Sequence, residues 1–400
     1  MAEFLRRKLS NGMIVLMEKR ETPVITLGIA NPIGAGFEDS KIKGVFHVIE
    51  HMVFTGTQTR THEDISKEIE KRGGILNAFT SNEATCFWFK LPSEHVFIGL
   101  EILSDLLLNP KFDKLKFEKE KKVILEEIKM YHDDPERDVQ DQIFENLYEK
   151  PFGERIIGSK TSVLQLERDF VYSFFKKHYT TSNFIVSIVG KGDFNKICEF
   201  LEKKFGNQNK ESFKVKPIIF KNKETIEERK GIDQAHFVFG VHAPLISDKE
   251  YSALEVLDTY LANGMSSKLF LKIREEKGLA YSVQSSINSE KSYSYYTIYA
   301  GTLKEAVSEV KKIILDELDK VENISEKELN EAKERVIGLR KVVSEESSRV
   351  MPEILFYELA SKAEEYYTHE QKINNVTSEQ VKNLARNMKK NYSTASIVPN

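Results

Sequence analysis

The chain has 400 residues, with 59 Lys and Arg against 62 Asp and Glu, for a formal net charge of −3 at pH 7. That balance excludes the basic footprint of a nucleic-acid binder, and no apolar run approaches the roughly 20 residues needed to span a bilayer. Two distant cysteines, Cys86 and Cys198, make no disulfide framework, and the length exceeds one typical core, so two or more domains are expected.

The first residues, MAEFLRRKLSNG, are basic without an apolar core or small-residue cleavage site behind them. With the sparse cysteines, this gives a cytoplasmic expectation. Apolar runs at Met13–Leu16 and Val24–Ile29 predict strands. The Gly/Pro turn Asn31–Gly36 leads into a helical pattern carrying His47-Val48-Ile49-Glu50-His51. On a helix, i and i+4 share a face, so His47 and His51 present two imidazoles to one point, as zinc requires at about 2.0–2.1 Å. Glu50 flanks that point and can take a proton from a water that a metal activates. This HxxEH order reverses the commoner HExxH. A lone histidine on an apolar face is usually a core residue; a spaced pair with Glu between is harder to dismiss.

A catalytic zinc needs a third protein ligand. The later helical pattern Phe117–Tyr131 places Phe117, Glu120, Ile124, Glu127, Ile128 and Tyr131 on one stripe. Two carboxylates on an apolar stripe need cations or donors. Glu127 as a ligand with Glu120 holding a histidine N–H is one coherent assignment; a buried pairing with Arg or Lys is the other. Gly153–Thr161 resembles a phosphate loop, but Ser159 occupies the required Lys position, so no nucleotide is expected.

The polar stretch 206–217 reads as a linker, giving domains 1–208 and 218–400 with 209–217 between them. The second half repeats the plan. A strand at Ala235–Val241 and a turn precede a helix, Glu250–Leu261, which Asn263-Gly264 stops. Ala253–Asp258 offers no His/Glu cluster, so only the first half can ligate a metal. Lys327–Arg340 reads as an exposed amphipathic helix.

Taken together, these motifs resemble the pitrilysin and insulin-degrading enzyme family, especially its shorter branch with the mitochondrial processing peptidases. HVIEHMVFTGT is similar to that family's metal helix, and Glu120 and Glu127 fit its third ligand and acidic neighbour. GGILNAFTSNEATCFWF resembles the strand beside its active site, and Arg274 and Tyr281 match its Arg/Tyr pair, seven residues apart. The resemblance covers nearly the whole chain. It implies an α+β fold of two homologous domains, each an antiparallel sheet covered by helices, forming half of a clam-shell chamber. The implied activity is a zinc endopeptidase acting on unfolded peptides, with one Zn2+ per chain on His47, His51 and Glu127. Glu50 would be the general base, with Arg274 and Tyr281 as donors to the substrate. Asn77, Ala78 and Phe79 would receive the substrate as an added strand. Short-chain relatives are usually dimers, so a homodimer is expected, with each zinc facing the Arg/Tyr pair of the other subunit. A non-catalytic scaffold or processing subunit of the same fold is the alternative; every ligand and Glu50 is nevertheless present.

Overall fold

A computed structural model describes residues 3–206 and 216–400. The linker expected at 209–217 falls largely on 207–215, outside the described residues. Among the described residues no helix is long and apolar enough to cross a membrane.

Eleven described strands form two sheets. The first holds β1 (Glu3–Lys8), β2 (Ile14–Lys19), β3 (Val24–Asn31), β4 (Ile75–Thr80), β5 (Thr85–Pro92) and β6 (Ile185–Gly190), in the order β1-β2-β6-β3-β5-β4. The second holds β7 (Glu224–Arg229), β8 (Ala235–His242), β9 (Ala280–Ser289), β10 (Ser294–Thr302) and β11 (Ser393–Pro399), in the order β7-β11-β8-β10-β9. The described helices run α1 (Val45–Phe54), α2 (His62–Glu70), α3 (Val96–Leu108), α4 (Lys114–Asp133), α5 (Pro135–Leu147), α6 (Lys160–Gln165), α7 (Arg168–His178), α8 (Phe194–Phe205), α9 (Tyr251–Leu261), α10 (Val307–Lys320), α11 (Glu326–Val343), α12 (Ser347–Ala360), α13 (His369–Asn374) and α14 (Ser378–Lys390).

Without β1, the first sheet reads β2-β6-β3-β5-β4, which maps strand for strand onto the second. The duplication expected from sequence is thus repeated in topology. The sheets depart from a purely antiparallel expectation at one pair each: β2 runs parallel to β6, and β7 to β11. In both cases the partner strand arrives from the far end of its half, and long crossover connections are what permit parallel neighbours.

The compact units also differ from a single cut in the chain. The first draws on Met1–Lys129, Glu154–Pro217 and Ser344–Glu364; the second on Met130–Gly153, Ile218–Val343 and Glu365–Asn400. Helix α12, from late in the sequence, therefore covers β3 and β6, while α5, from the first half, covers β8 and β11. The physical reason is written in the strands. At Gly28 of β3, an added Cβ would sit 2.8 Å from Met351 Sδ of α12; at Gly240 of β8, one would sit 2.5 Å from Ile143 Cγ1 of α5. Gly28 pairs with Ser187, and Gly240 with Ser393. Ser187 Oγ donates to the Met351 carbonyl at 2.8 Å, and Ser393 Oγ to the Asn146 carbonyl at 3.2 Å. Each unit uses the same glycine–serine device to seat a helix tightly on its sheet.

Candidate metal centre

Helix α1 begins at Gly44, whose φ of 96° lies in the left-handed region that glycine adopts without strain. No side chain of the usual capping position serves this end. Instead Glu38, fully buried, accepts from the Gly44 N–H at 3.0 Å and the Phe46 N–H at 2.9 Å. Those amides would otherwise be orphaned at the helix start. Lys43 lies 3.7 Å from Glu38 and donates to the Ala35 carbonyl at 2.8 Å. Burial pushes Glu38 up to about 7, against Lys43 and the two amides that favour its charged form.

Val45, Phe46, Val48, Ile49, Met52 and Val53 are buried and fix the rotation of α1. The remaining face, His47, Glu50, His51 and Phe54, is only partly buried. The two imidazole rings stand 4.7 Å apart at 65°. Helix α4 approaches that face, with Phe117 and Ile124 buried and Glu120 and Glu127 partly buried. Glu126, Lys119 and Lys122 are exposed, as the stripe predicts.

His47 Nε2 and His51 Nε2 lie 3.7 and 3.5 Å from Glu127 Oε2. These separations are long for hydrogen bonds. The shorter falls within, and the longer just beyond, the edge of a tetrahedron with bonds of about 2.0–2.2 Å, roughly 3.3–3.6 Å. One donor atom from each of His47, His51 and Glu127 falls within 4.8 Å of the others, and no other described group of three does so. His51 Nδ1 faces Glu120 Oε2 at 3.2 Å. A proton held on Nδ1 leaves Nε2 bare toward Glu127, the arrangement metal-ligating histidines use.

The charges agree. Burial, aided by His51, holds His47 down at about 4, with Glu127 working the other way. Burial would lower His51 too, but its contacts with Glu120 and Glu127 raise it to about 9. Three carboxylates around two imidazoles call for a cation, and the donor set suits zinc. Glu50 lies outside that set; Thr80 Oγ1 of β4 donates to its Oε2 at 2.6 Å. Burial pushes Glu50 above the ordinary carboxylate range despite that hydrogen bond.

Asn77, Ala78 and Phe79 lie on β4, which is an edge strand of the first sheet. Phe79 packs 6.1 Å from Phe356, and Phe87 and Phe89 of β5 are buried. Arg274 and Tyr281 belong to the second unit. They meet each other. Arg274 lies in a π-helical segment, Phe270–Glu276, with its guanidinium 4.9 Å from the Phe270 ring and 5.0 Å from that of Tyr281. Tyr281 is 77% exposed.

Residues 13–160 match the sequence profile of insulinase, peptidase family M16, and residues 165–336 that of the peptidase M16 inactive domain. An uncharacterized zinc protease, YmxG, of Bacillus subtilis is 31% identical over 97% of this chain and 97% of its own length. The chain belongs to the M16 peptidase family. Another uncharacterized zinc protease, ML0855 of Mycobacterium leprae, is 31% identical over 98% of this chain and 91% of its own. A protease from Helicobacter pylori shares the fold of this M16 chain with a TM-score of 0.91 at 20% identity, covering all of both chains. A peptidase M16 inactive domain from Pseudomonas fluorescens does so at 0.88 and 18%, covering 100% of this chain and 98% of its own. The half matching the inactive-domain profile is the half without an HxxEH sequence.

The contacts that Thr80, Glu38 and Lys43 make around α1 have no signature in the sequence pattern. Nothing in the chain links Thr80 to Glu50 thirty residues earlier, because strand β4 returns to α1 only through the sheet. Glu38 itself carries a faint signal: an acidic residue shortly before a helix that has no Ser, Thr, Asp or Asn at its start.

Proposed function

We propose that this protein is a zinc-dependent endopeptidase of extended, unfolded peptides. The observation that supports it best is the convergence of two Nε2 atoms on one Glu127 oxygen, with Glu50 beside them but outside the donor set. His47, His51 and Glu127 would hold the ion, which when bound supplies a Lewis acid for a carbonyl and a lowered pKa for water. Glu50 takes the proton of the attacking water and returns it to the departing amine nitrogen. A carboxylate held above its usual range is suited to both halves of that transfer. Thr80 fixes one oxygen of Glu50, leaving the other for the proton.

The unpaired outer edge of β4 is suited to receiving a substrate backbone as an added strand, giving affinity that tolerates many sequences. Arg274 and Tyr281 supply a fixed cation and an O–H that can hold a substrate carbonyl. Because they belong to the other unit, the reading extends to a homodimer, in which one subunit's Arg/Tyr pair serves the other's metal centre.

The test is degradation of an unstructured peptide by the protein as prepared with zinc, after chelation, and as Glu50→Gln. We expect chelation to abolish cleavage and added zinc to restore it. Glu50→Gln should lose on the order of 10²–10⁴-fold in kcat while keeping its zinc. Cleavage undiminished in Glu50→Gln removes the mechanism; zinc bound without any cleavage by the wild type favours a scaffold.

A further inference from the structure

Within the first unit a cavity of about 370 Å³ adjoins the metal centre. Its walls are Phe54 and Thr55 from the end of α1, His62 from the start of α2, Asn77 from β4, and Lys116 and Lys119 from α4. Glu50, His51 and Glu120 also line it, so whatever fills it lies beside the reacting groups. The volume is at the low end for ligand pockets, about 300–1,000 Å³, and suits one side chain better than a whole small molecule.

The carboxylates of this cavity are already engaged, Glu50 with Thr80 and Glu120 with His51. Its two ammonium groups have no carboxylate at ion-pair distance among the described residues. Lys116 donates to the Thr55 carbonyl, a neutral acceptor that leaves two of its three N–H donors over, and Asp113 acts on its charge only from beyond ion-pair distance. Lys119 has neither an ion pair nor a hydrogen bond among the described residues, although ion pairs are frequent elsewhere on this surface. The two lysines are three residues apart on α4, so they lie on neighbouring turns of one face. Phe54 gives the cavity an apolar wall against which a methylene stem can pack.

We propose that this cavity is a specificity subsite for an acidic side chain, Asp or Glu, flanking the scissile bond of the substrate, recognised by Lys119 and Lys116. The proposal rests on the peptidase reading of the neighbouring centre. A free peptide C-terminus carries the same carboxylate chemistry, and the experiment separates the two sources.

The substrates are quenched fluorescent peptides of one sequence, acetylated and amidated, with Glu, Gln, Lys or Leu at a position beside the cleaved bond. A fifth carries Gln there and a free C-terminal carboxylate. With the zinc-loaded full-length protein, the Glu peptide should exceed the Gln peptide in kcat/KM by about tenfold, since hydrogen bonds to charged groups outweigh neutral ones. That margin should shrink at high salt, because exposed charges are screened. Lys119→Glu should reverse the order of the Glu and Lys peptides, and Lys119→Met should bring Glu and Gln together. Binding to the Glu50→Gln protein, followed by fluorescence anisotropy, should rank the peptides as cleavage does. Equal treatment of Glu and Gln, a preference for Leu, or a ranking untouched by Lys119→Glu overturns the subsite and leaves the peptidase standing. A gain confined to the free C-terminus assigns the cavity to the wrong carboxylate and overturns it too. Cleavage of no peptide, with zinc bound, takes down the subsite and the peptidase together.

Discussion

Glu120 and Glu127 sit two helical turns apart on α4 and do different work. Glu127 points an oxygen at both Nε2 atoms; Glu120 touches only the far nitrogen of His51. Holding that Nδ1 fixes the tautomer and ring angle in which Nε2 is free to ligate. Glu120→Ala should therefore weaken zinc binding by about 10–100-fold while leaving all three ligands in place. Competition against a chromophoric chelator measures it, and unchanged affinity would reduce Glu120 to a surface charge. The sequence made much of this centre legible. The i, i+4 spacing of the histidines and the 3.6-residue period of α4 place the four groups on two faces without knowledge of the fold. What it left open was whether those faces meet, since a buried pairing with Arg or Lys would have left the same stripe. The Glu38–Lys43 pair and the Thr80 contact were not legible, because each depends on a loop or strand closing onto α1 from elsewhere.

Helices are easier to find in a sequence than the sheets they cover. Pro135–Leu147 and Ser347–Ala360 each carry an apolar face, but nothing local to either says that its sheet lies in the other half of the chain. The information sits instead in two glycines. Gly28 and Gly240 read as weak points in strands, yet each marks the close approach of a backbone-level neighbour. Neither has a left-handed φ, so alanine is sterically permitted by the backbone at both. On chain entropy alone, Gly→Ala would stabilise by about 0.4–1 kcal/mol. Against Ile143 or Met351 the sign should invert, with Gly28→Ala and Gly240→Ala each costing about 1–3 kcal/mol through overpacking. Pairing Gly240→Ala with Ile143→Val should recover part of the loss by relieving the contact. Urea midpoints at constant slope read the result. A stabilised Gly240→Ala protein would mean that α5 does not rest on β8 as described.

The base proposed in one unit and the donor pair proposed in the other can be joined within a chain or between chains. Composition cannot decide between them, nor can the duplication, because a repeated unit is compatible with both arrangements. Subunit mixing can decide. In a symmetric homodimer with sites shared between subunits, each site takes Glu50 from one chain and Tyr281 from the other. Glu50→Gln disables one contribution and Tyr281→Phe the other, so each pure variant should be nearly inactive, the latter by loss of one donor on the order of 10²–10³-fold. Mixed after reversible dissociation in equal amounts, half of the dimers are hybrids. Each hybrid then carries one site with both groups intact and one with neither. Activity should climb to about a quarter of wild type as exchange proceeds, at the rate that sedimentation or native mass spectrometry gives for hybrid formation. If hybrids form and activity stays at the level of the parents, both groups must come from the same chain. If the protein sediments as a fully active monomer, the shared site is excluded outright.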